Sequence, residues 1–512
     1  LAAGEPTGPE RAHAAEAEPD ATPSPARPTS GPWSRGRTLL LLGVGLLLSV
    51  GTFLSVVTGP DYGWHGARDL ELRESYRTYQ ETGVLLAKET GTGSWYTQIP
   101  GAGEYSPATW DEDPGAYLVA ALMSHVTGSE SPYPGLRLAV AGLVALPLLI
   151  LPLGVARVLG RPRAGLALIA LPGVVYLLNR GTPLVGTEYG LSDAGSPTPV
   201  YALYGIGASL VFLSLTLLLT LSTVRMRTSV LVGVSVVLAL LSGVSNLARS
   251  MSGMGTALGI GILWWLHSSG RARWWRAAAA AAVAVAIAAL VPIGAMRSID
   301  ADRAELTGMP VNELPTAHAL WHSMYLGLSY PTPVNGEPSP FGIPWSDEYG
   351  WQVARAVDPD VLIGSVEFDE IMRGEYEEIV RKHPTTAVRL YLEKGAFVVW
   401  HFAAMIAFAA VGIGIALWRR GPHRARLVAV LLIAAPTLAI GLAPPVLVMP
   451  LLYYFSELAA GLGLLTAVAL GGLVWFVTTT APAQRMADRL RPRRRDGADV
   501  EPAVPDHEGV PG

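Results

Sequence analysis

Cysteine is absent from the 512 residues, which excludes a disulfide framework, a thiolate metal site and a cysteine nucleophile. Charge is scarce: Asp, Glu, Lys and Arg make up 15% of the chain, against about a quarter in an ordinary soluble domain. No Walker-type phosphate loop, zinc-protease helix motif or nucleophile elbow is present. Nothing resembles a nucleotide-binding module, which weighs against a nucleotide-sugar donor, and nothing suggests a nucleic-acid partner. No internal repeat is visible, inverted or parallel, which weighs against a secondary transporter.

What the chain has in quantity is apolar surface. Half of its residues are hydrophobic and the mean hydropathy is +0.36, so it reads as an integral membrane protein. The net charge of −4 says little, because acids and bases are segregated along the chain. The bases are nearly all arginine and the composition is rich in Ala, Gly, Val and Leu, a balance typical of a high-GC bacterium. Residues 1–33 form an Ala/Pro/Glu/Thr tract with too few large apolar side chains to build a core, and they lack the pattern of a signal peptide. Residues 480–512 run from a basic stretch into an acidic, Pro-rich one. Both ends are expected to be disordered cytoplasmic tails flanking a membrane domain over 34–479.

About 20 helical residues cross the hydrocarbon core, so apolar runs of that order mark spans. Ten are expected, near 38–58, 135–156, 164–179, 199–223, 228–246, 252–268, 274–296, 395–418, 425–443 and 446–478. The third is short, and the last is long enough to hide a break. Glu457 lies inside it, where an unpaired charge is costly, so a re-entrant piece around 444–456 is considered. Arginines fall before the first span, at Arg157, Arg161 and Arg163, at Arg225 and Arg227, over 271–276, over 418–426 and after the last span. All lie on one side if both termini are cytoplasmic, as the positive-inside rule requires. The fold expected is therefore an all-α polytopic membrane protein of about ten spans. Its two large extracytoplasmic loops, 59–134 and 297–394, hold the acids and many of the aromatics.

In the first loop, 67–82 has helical composition, with Asp69, Arg73 and Tyr76 near one face and Glu71, Glu74 and Arg77 around another. The stretch "TWDEDPGAYLVAALMSHVTG" (109–128) then sets three acids against an apolar helix. Pro114 and Gly115 suit a helix start with Asp113 as its cap, which leaves Asp111 and Glu112 as candidate substrate contacts. In the second loop, Trp321, His322, Tyr325, Tyr330, Phe341, Trp345, Tyr349 and Trp351 lie close together in sequence. Asp347 and Glu348 beside Trp345 suit sugar recognition, while an interfacial aromatic belt is the alternative. Residues 379–400 read as an amphipathic helix on the membrane surface, with Arg381, Lys382, Arg389 and Lys394 near lipid phosphates. His318 and His322 are four apart but have no third ligand, and no residue spacing calls for a metal, although a divalent ion would be compatible with such a site.

The segment 111–146, "DEDPGAYLVAALMSHVTGSESPYPGLRLAVAGLVAL", resembles bacterial membrane glycosyltransferases of the GT-C superfamily. The similar members are protein O-mannosyltransferases and the lipid A aminoarabinose transferase. Pro114, Tyr117, Ala121, Leu122, Gly128, Ser129, Glu130, Arg137 and Leu138 stand at comparable places, and "ARVLGRPRAGLALIALPGVVY" (156–176) resembles the family's next turn. Long outside loops after spans one and seven match the superfamily's layout, and "IVRKHPTTAVRLYLEKGAFVVW" resembles its stretch before a later span. Two departures stand out. Asp113 replaces the lysine of a K-P-P motif, and Arg73 occupies the place of the Asp in D-E-x-x-Y, whose E-x-x-Y half Glu74-Ser75-Tyr76 matches only loosely, with the tyrosine one residue early.

The resemblance implies transfer of a sugar from a polyprenyl-phosphate donor to an extracytoplasmic glycan, lipid or protein in a bacterial plasma membrane. It implies a first-loop carboxylate as general base, drawn from Asp69, Glu71 and Glu74, and arginines facing the phosphate; Arg73, Arg180 and Arg249 are the candidates that the topology places outside, with Tyr76 a further substrate contact. Glu188 and Asp193, before span four, occupy a region where the family often carries an acid. A polysaccharide polymerase, ligase or export component is the alternative, and a non-enzymatic transporter the third reading.

Overall fold

A computed structural model describes residues 34–58, 66–93, 103–108, 114–180, 199–315, 320–419 and 423–479. Each apolar run expected to span is helical. In chain order they are α1 (Arg35–Val57), α4 (Pro132–Leu159), α5 (Pro162–Leu166) with α6 (Leu171–Arg180), α7 (Pro199–Leu221), α8 (Thr228–Ala248), α9 (Met254–His267), α10 (Arg273–Thr307), α15 (Pro384–His401) with α16 (Ala403–Trp418), α17 (His423–Leu447) and α18 (Ser456–Thr479). Among the described residues six helices are individually long and apolar enough to cross a membrane, or up to seven with the bent pair α15–α16 counted as one. The chain is an all-α polytopic membrane protein.

Several runs depart from a single straight span, for identifiable reasons. The third is broken by a 3-10 turn at Ala167–Ala170 between α5 and α6. The eighth bends by 65° between His401 and Ala403. The run over 446–478 is not one helix. α17 continues through Pro436, Pro444 and Pro445 to Leu447, and α18 begins only at Ser456 after a 3-10 turn at Leu452–Phe455. Two adjacent prolines remove two backbone donors, so the helix stops within a turn of them. α10 runs 35 residues, about 52 Å at 1.5 Å per residue, well beyond a hydrocarbon core of about 30 Å. Its last turns carry Asp300, Asp302, Arg303 and Glu305 into the second loop.

The membrane core is packed mainly from α4, α7, α9, α17 and α18, where Val155, Leu215, Leu218, Ile260, Ile433, Leu464 and Val468 are buried together. Leu46, Leu47, Val237, Val283 and Leu290 on α1, α8 and α10 remain exposed, as lipid-facing side chains do. In lipid the apolar effect does not draw helices together, so close approach relies on small residues. At the α16–α18 crossing a Cβ on Gly412 would lie 2.6 Å from Ala469 Cβ and 2.7 Å from Ala469 O. At the arginine-rich end, Arg426 donates to Arg157 O at 2.8 Å, and His267 Nε2 meets Val224 O at 2.7 Å, tying neighbouring turns together.

Two modules stand at the opposite end. The first comprises α2 (Gly66–Thr82), a short antiparallel hairpin of β1 (Ala87–Glu89) and β2 (Tyr105–Pro107) that the all-helical reading does not include, and α3 (Gly115–Thr127). Arg303 of α10 clamps the hairpin base: its Nε donates to Leu86 O at 2.9 Å, its Nη2 to Ala108 O at 3.1 Å, and its Nη1 to Asp300 at 2.6 Å. The second comprises α11 (Leu320–Gly327), α12 (Thr332–Asn335), α13 (Asp347–Val357) and α14 (Val366–Lys382). It has a core of its own, built on Tyr325, Leu328, Trp351, Phe368 and Met372.

Gly412→Ala is expected to lower the melting temperature in detergent by the equivalent of about 1–3 kcal/mol, because the added methyl meets backbone. Gly414→Ala, with nothing within 4 Å of its Cβ, is the control and should leave the melt unchanged.

Candidate functional site

The first-loop acids sit on α2, and the structure separates their roles. α2 turns Leu72 and Tyr76 inward against Ala116, Tyr117 and Ile206, which orients every other side chain of the helix. Glu71 shares that inward side. Its Oε2 lies 2.8 Å from Lys88 Nζ on β1, and the two side chains are 3% and 0% exposed. Glu71 therefore faces the hairpin and not Glu74 and Arg77, with which the helical reading grouped it. Glu74 lies 3.0 Å from Arg77, whose guanidinium also holds Glu89 at 2.7 Å. Asp69 and Arg73 do share a face, at 2.8 Å. The Arg73 guanidinium stands 5.3 Å above the Tyr133 ring, at the start of α4. Asp69 Oδ1 and the Tyr133 hydroxyl are both buried with no hydrogen-bond partner among the described residues. Tyr76 donates to Ser129 O at 2.7 Å, and burial raises its phenol above the ordinary value against the opposing effect of Ser124.

A second cluster forms where α8 ends and α18 begins. The α8–α9 turn is tight, with Met251 at φ 65°, and Asn246 holds it: its Oδ1 accepts from Gly253 N at 2.7 Å and its Nδ2 donates to Ala288 O at 2.9 Å. This fixes Arg249 at the C-cap of α8, pointing into the protein. Arg249 Nε lies 3.3 Å from Glu457 Oε1, with the side chains 7% and 5% exposed, and Nη1 donates to Ser456 Oγ at 3.0 Å. Ser456 in turn donates to Glu457 Oε2 at 3.0 Å, and the guanidinium stands 5.6 Å from the Tyr454 ring. Glu457, noted in the sequence only as a hint of a broken span, is the buried partner of Arg249. Its isolation in an apolar run was the signal, because a buried carboxylate requires a partner.

The two clusters belong to one end of the protein. α3 starts directly against the end of α8: a Cβ on Gly115 would lie 2.3 Å from Ala248 O, one residue before Arg249, so only glycine permits the approach. Pro114 holds the capping position of α3 without a side-chain cap. The acid run before it, with Asp111, Glu112 and the expected cap Asp113, lies outside the described residues, as do Glu188, Asp193, His318 and the side chain of Arg180.

From Leu458, next to Glu457, an apolar groove of about 550 Å³ runs between α15–α16, α17 and α18 toward Leu417 and Leu431. Val398, Phe402 and Leu442 line its near end. The bend between α15 and α16 carries His401, stacked 4.7 Å from Phe455 and 4.9 Å from Phe402.

The second-loop candidates lie elsewhere. Asp347 and Glu348 open α13, where Ser346 caps Tyr349 N at 3.2 Å and donates to Glu348 at 2.7 Å. Asp347 is 3.9 Å from His322 Nε2. Trp345 is partly buried between the module's core and the cluster of Tyr330, Leu390 and Met449. The aromatics around it are mostly core, and burial drives the Tyr325 phenol upward. Arg381, Lys382 and Arg389 pair with Glu377, Glu378 and Glu393 along their own helices. Lys394 instead points inward and donates to Val448 O at 2.7 Å, beside the faces of Tyr391 and Tyr330. Among the described residues no group of three or more His, Asp or Glu could hold a metal ion.

Lys88→Met is expected to cost about 3–5 kcal/mol in melting experiments, because it leaves the Glu71 carboxylate buried without its cation. The double variant Glu71→Leu/Lys88→Met should recover most of that loss, since no unpaired charge then remains.

No protein family and no curated protein matches the sequence. In fold the chain is similar to two crystal structures of ArnT from Cupriavidus metallidurans. In the one bound to undecaprenyl phosphate the identity is 15% and the TM-score 0.30, over 90% of this chain and 82% of that one. The apo-state structure gives the same identity and TM-score over 86% and 77%. ArnT is the lipid A aminoarabinose transferase, a GT-C glycosyltransferase.

Proposed function

We propose that the chain is a membrane glycosyltransferase that moves a sugar from a polyprenyl-phosphate donor to an acceptor on the side of the two modules. The observation that carries this reading is the buried Arg249, held by Glu457 and Ser456 at the start of α18, the helix whose next residue, Leu458, lines the apolar groove. A lipid-linked sugar phosphate needs that combination: a dry channel open to the bilayer for the chain and a cation at its polar end. The resemblance of 111–176 to GT-C enzymes supports the same donor class.

Asp69 suits the general base better than its neighbours do. Glu71 is engaged by Lys88 and Glu74 Oε2 faces Arg77 at 3.0 Å, while Asp69 meets Arg73 through Oδ2 and keeps a second, buried oxygen, Oδ1, with no hydrogen-bond partner among the described residues. In the proposed step the Asp69 carboxylate takes the proton of an acceptor hydroxyl as its oxygen attacks the anomeric carbon. The bond from that carbon to the phosphate oxygen breaks, and the electron pair leaves on polyprenyl phosphate. Arg249 offsets the charge that develops there, and Arg73 orients the base through its 2.8 Å contact. Arg180, Glu188, Asp193, Asp111 and Glu112 remain proposed acceptor or phosphate contacts, with Trp345, Asp347 and Glu348 as a proposed sugar-facing edge of the second module.

The reading places both termini and the arginine-rich turns in the cytoplasm, with ten spans. A cysteine-free chain makes this directly testable. An impermeant maleimide should label Ser365→Cys in intact cells and Ser268→Cys only after permeabilisation; the reverse pattern would overturn the orientation.

With purified protein and a polyprenyl-phosphate sugar, Asp69→Asn should lower transfer by about 10²–10⁴-fold. Arg249→Lys, which keeps a cation beside the buried Glu457 but loses the guanidinium fork, should lower it as well while leaving detergent-extracted protein monodisperse. Full transfer by Asp69→Asn would remove Asp69 from the base role.

A further inference from the structure

A second groove lies at the arginine-rich end, away from the site just described. It has a volume of about 300 Å³ between α8, α9 and α10 and is lined by Val232, Val236, Ile260, Ala280, Val283 and Ile287, with Arg276 at one end. Its depth comes from the alanines of α10, whose methyl groups leave space that larger side chains would fill. The polar groups in its wall are already satisfied. Trp264 Nε1 donates to Ser235 Oγ at 2.8 Å, and Ser235 donates onward to Leu231 O at 2.7 Å. The wall therefore offers a dry lining to a hydrocarbon chain and no polar group to water.

Arg276 differs from its neighbour Arg273. Arg273 is used: it donates to Trp265 O at 2.7 Å and stacks 3.6 Å over the Trp265 ring. Arg276 is exposed, and among the described residues its side chain makes no ion pair or hydrogen bond. Arg225, Arg227 and Arg271 stand in the turns around it, and residues 222–276 contain no Asp or Glu at all. Trp274 and Trp275, 71% and 81% exposed, mark the headgroup level beside it. From Arg276 to Ile287 the helix rises about 16 Å, close to half of a hydrocarbon core of about 30 Å.

We infer that this groove is a binding site for one anionic phospholipid, with an acyl chain lying along α10 against Val236, Ile260 and Val283 and the phosphate at Arg276. A zwitterionic lipid of the same chains fits the groove equally well but brings its own cation to a rim of uncompensated arginines. The site is therefore selective by headgroup. It is independent of the reaction proposed for the other end.

Native mass spectrometry of the full-length protein in detergent tests this, with phosphatidylglycerol and phosphatidylcholine of identical acyl chains added in equal amounts. One retained phosphatidylglycerol is expected, at several-fold higher occupancy than phosphatidylcholine. Arg276→Gln should abolish the preference, and Ala280→Phe, which fills the groove, should reduce retention of both lipids. Arg276 is exposed, so its variant keeps the test decisive if Ala280→Phe does not fold. Equal retention of the two lipids by the unaltered protein, or an unchanged preference in Arg276→Gln, would overturn the assignment.

Discussion

A carboxylate or guanidinium at the edge of an apolar bundle has to find its opposite, and that requirement organises the outer end of this protein. Arg249 and Glu457 are both buried, and each would be costly alone. Pairing them draws the end of α8 onto the start of α18, segments 207 residues apart when measured from Arg249 to Ser456. The α17–α18 break follows from the same demand. If α17 ran on as a straight helix through 448–455, Glu457 would not stand at a helix start facing Arg249. The two prolines at 444 and 445 end α17 in time, and Lys394 holds Val448 O at the first residue of the break.

The outer modules are attached by the same device. Glu71 and Lys88 fasten α2 to the hairpin, and Arg303 fastens the hairpin to α10 through two backbone carbonyls. Each of these buried charges is used to join elements far apart in sequence. The basic groups whose ion pairs lie within one helical turn, such as Lys382 and Arg389, are exposed, and those pairs join no separate elements. Surface pairs of that kind contribute about 0–1 kcal/mol, whereas a buried pair can dictate which surfaces meet.

Much of the architecture is legible in the residues because the bilayer imposes one rule on every span. Apolar length marks the helices and arginine placement marks their ends, and neither depends on long-range contacts. The helix over α2 and the Asp69–Arg73 face follow from spacing alone. What spacing could not reveal is which way α2 turns. Glu71 and Glu74 are three apart and look equivalent, yet Leu72 and Tyr76 seek the core and carry Glu71 inward to a lysine 17 residues away. The second-loop aromatics are the converse case. A dense run of Trp and Tyr reads as a sugar platform, but it supplies the core of a module too small to bury itself otherwise. Glu457 was visible as an anomaly without an address, since its partner lies five spans earlier in the expected order.

α10 has a mechanical consequence of its own. It is one continuous helix, with Pro292 inside it, from the tryptophans at the arginine-rich end to the Arg303 clamp on the hairpin. The first outer module thus takes its position from a membrane-spanning element, through side chain to backbone bonds and not through a flexible linker.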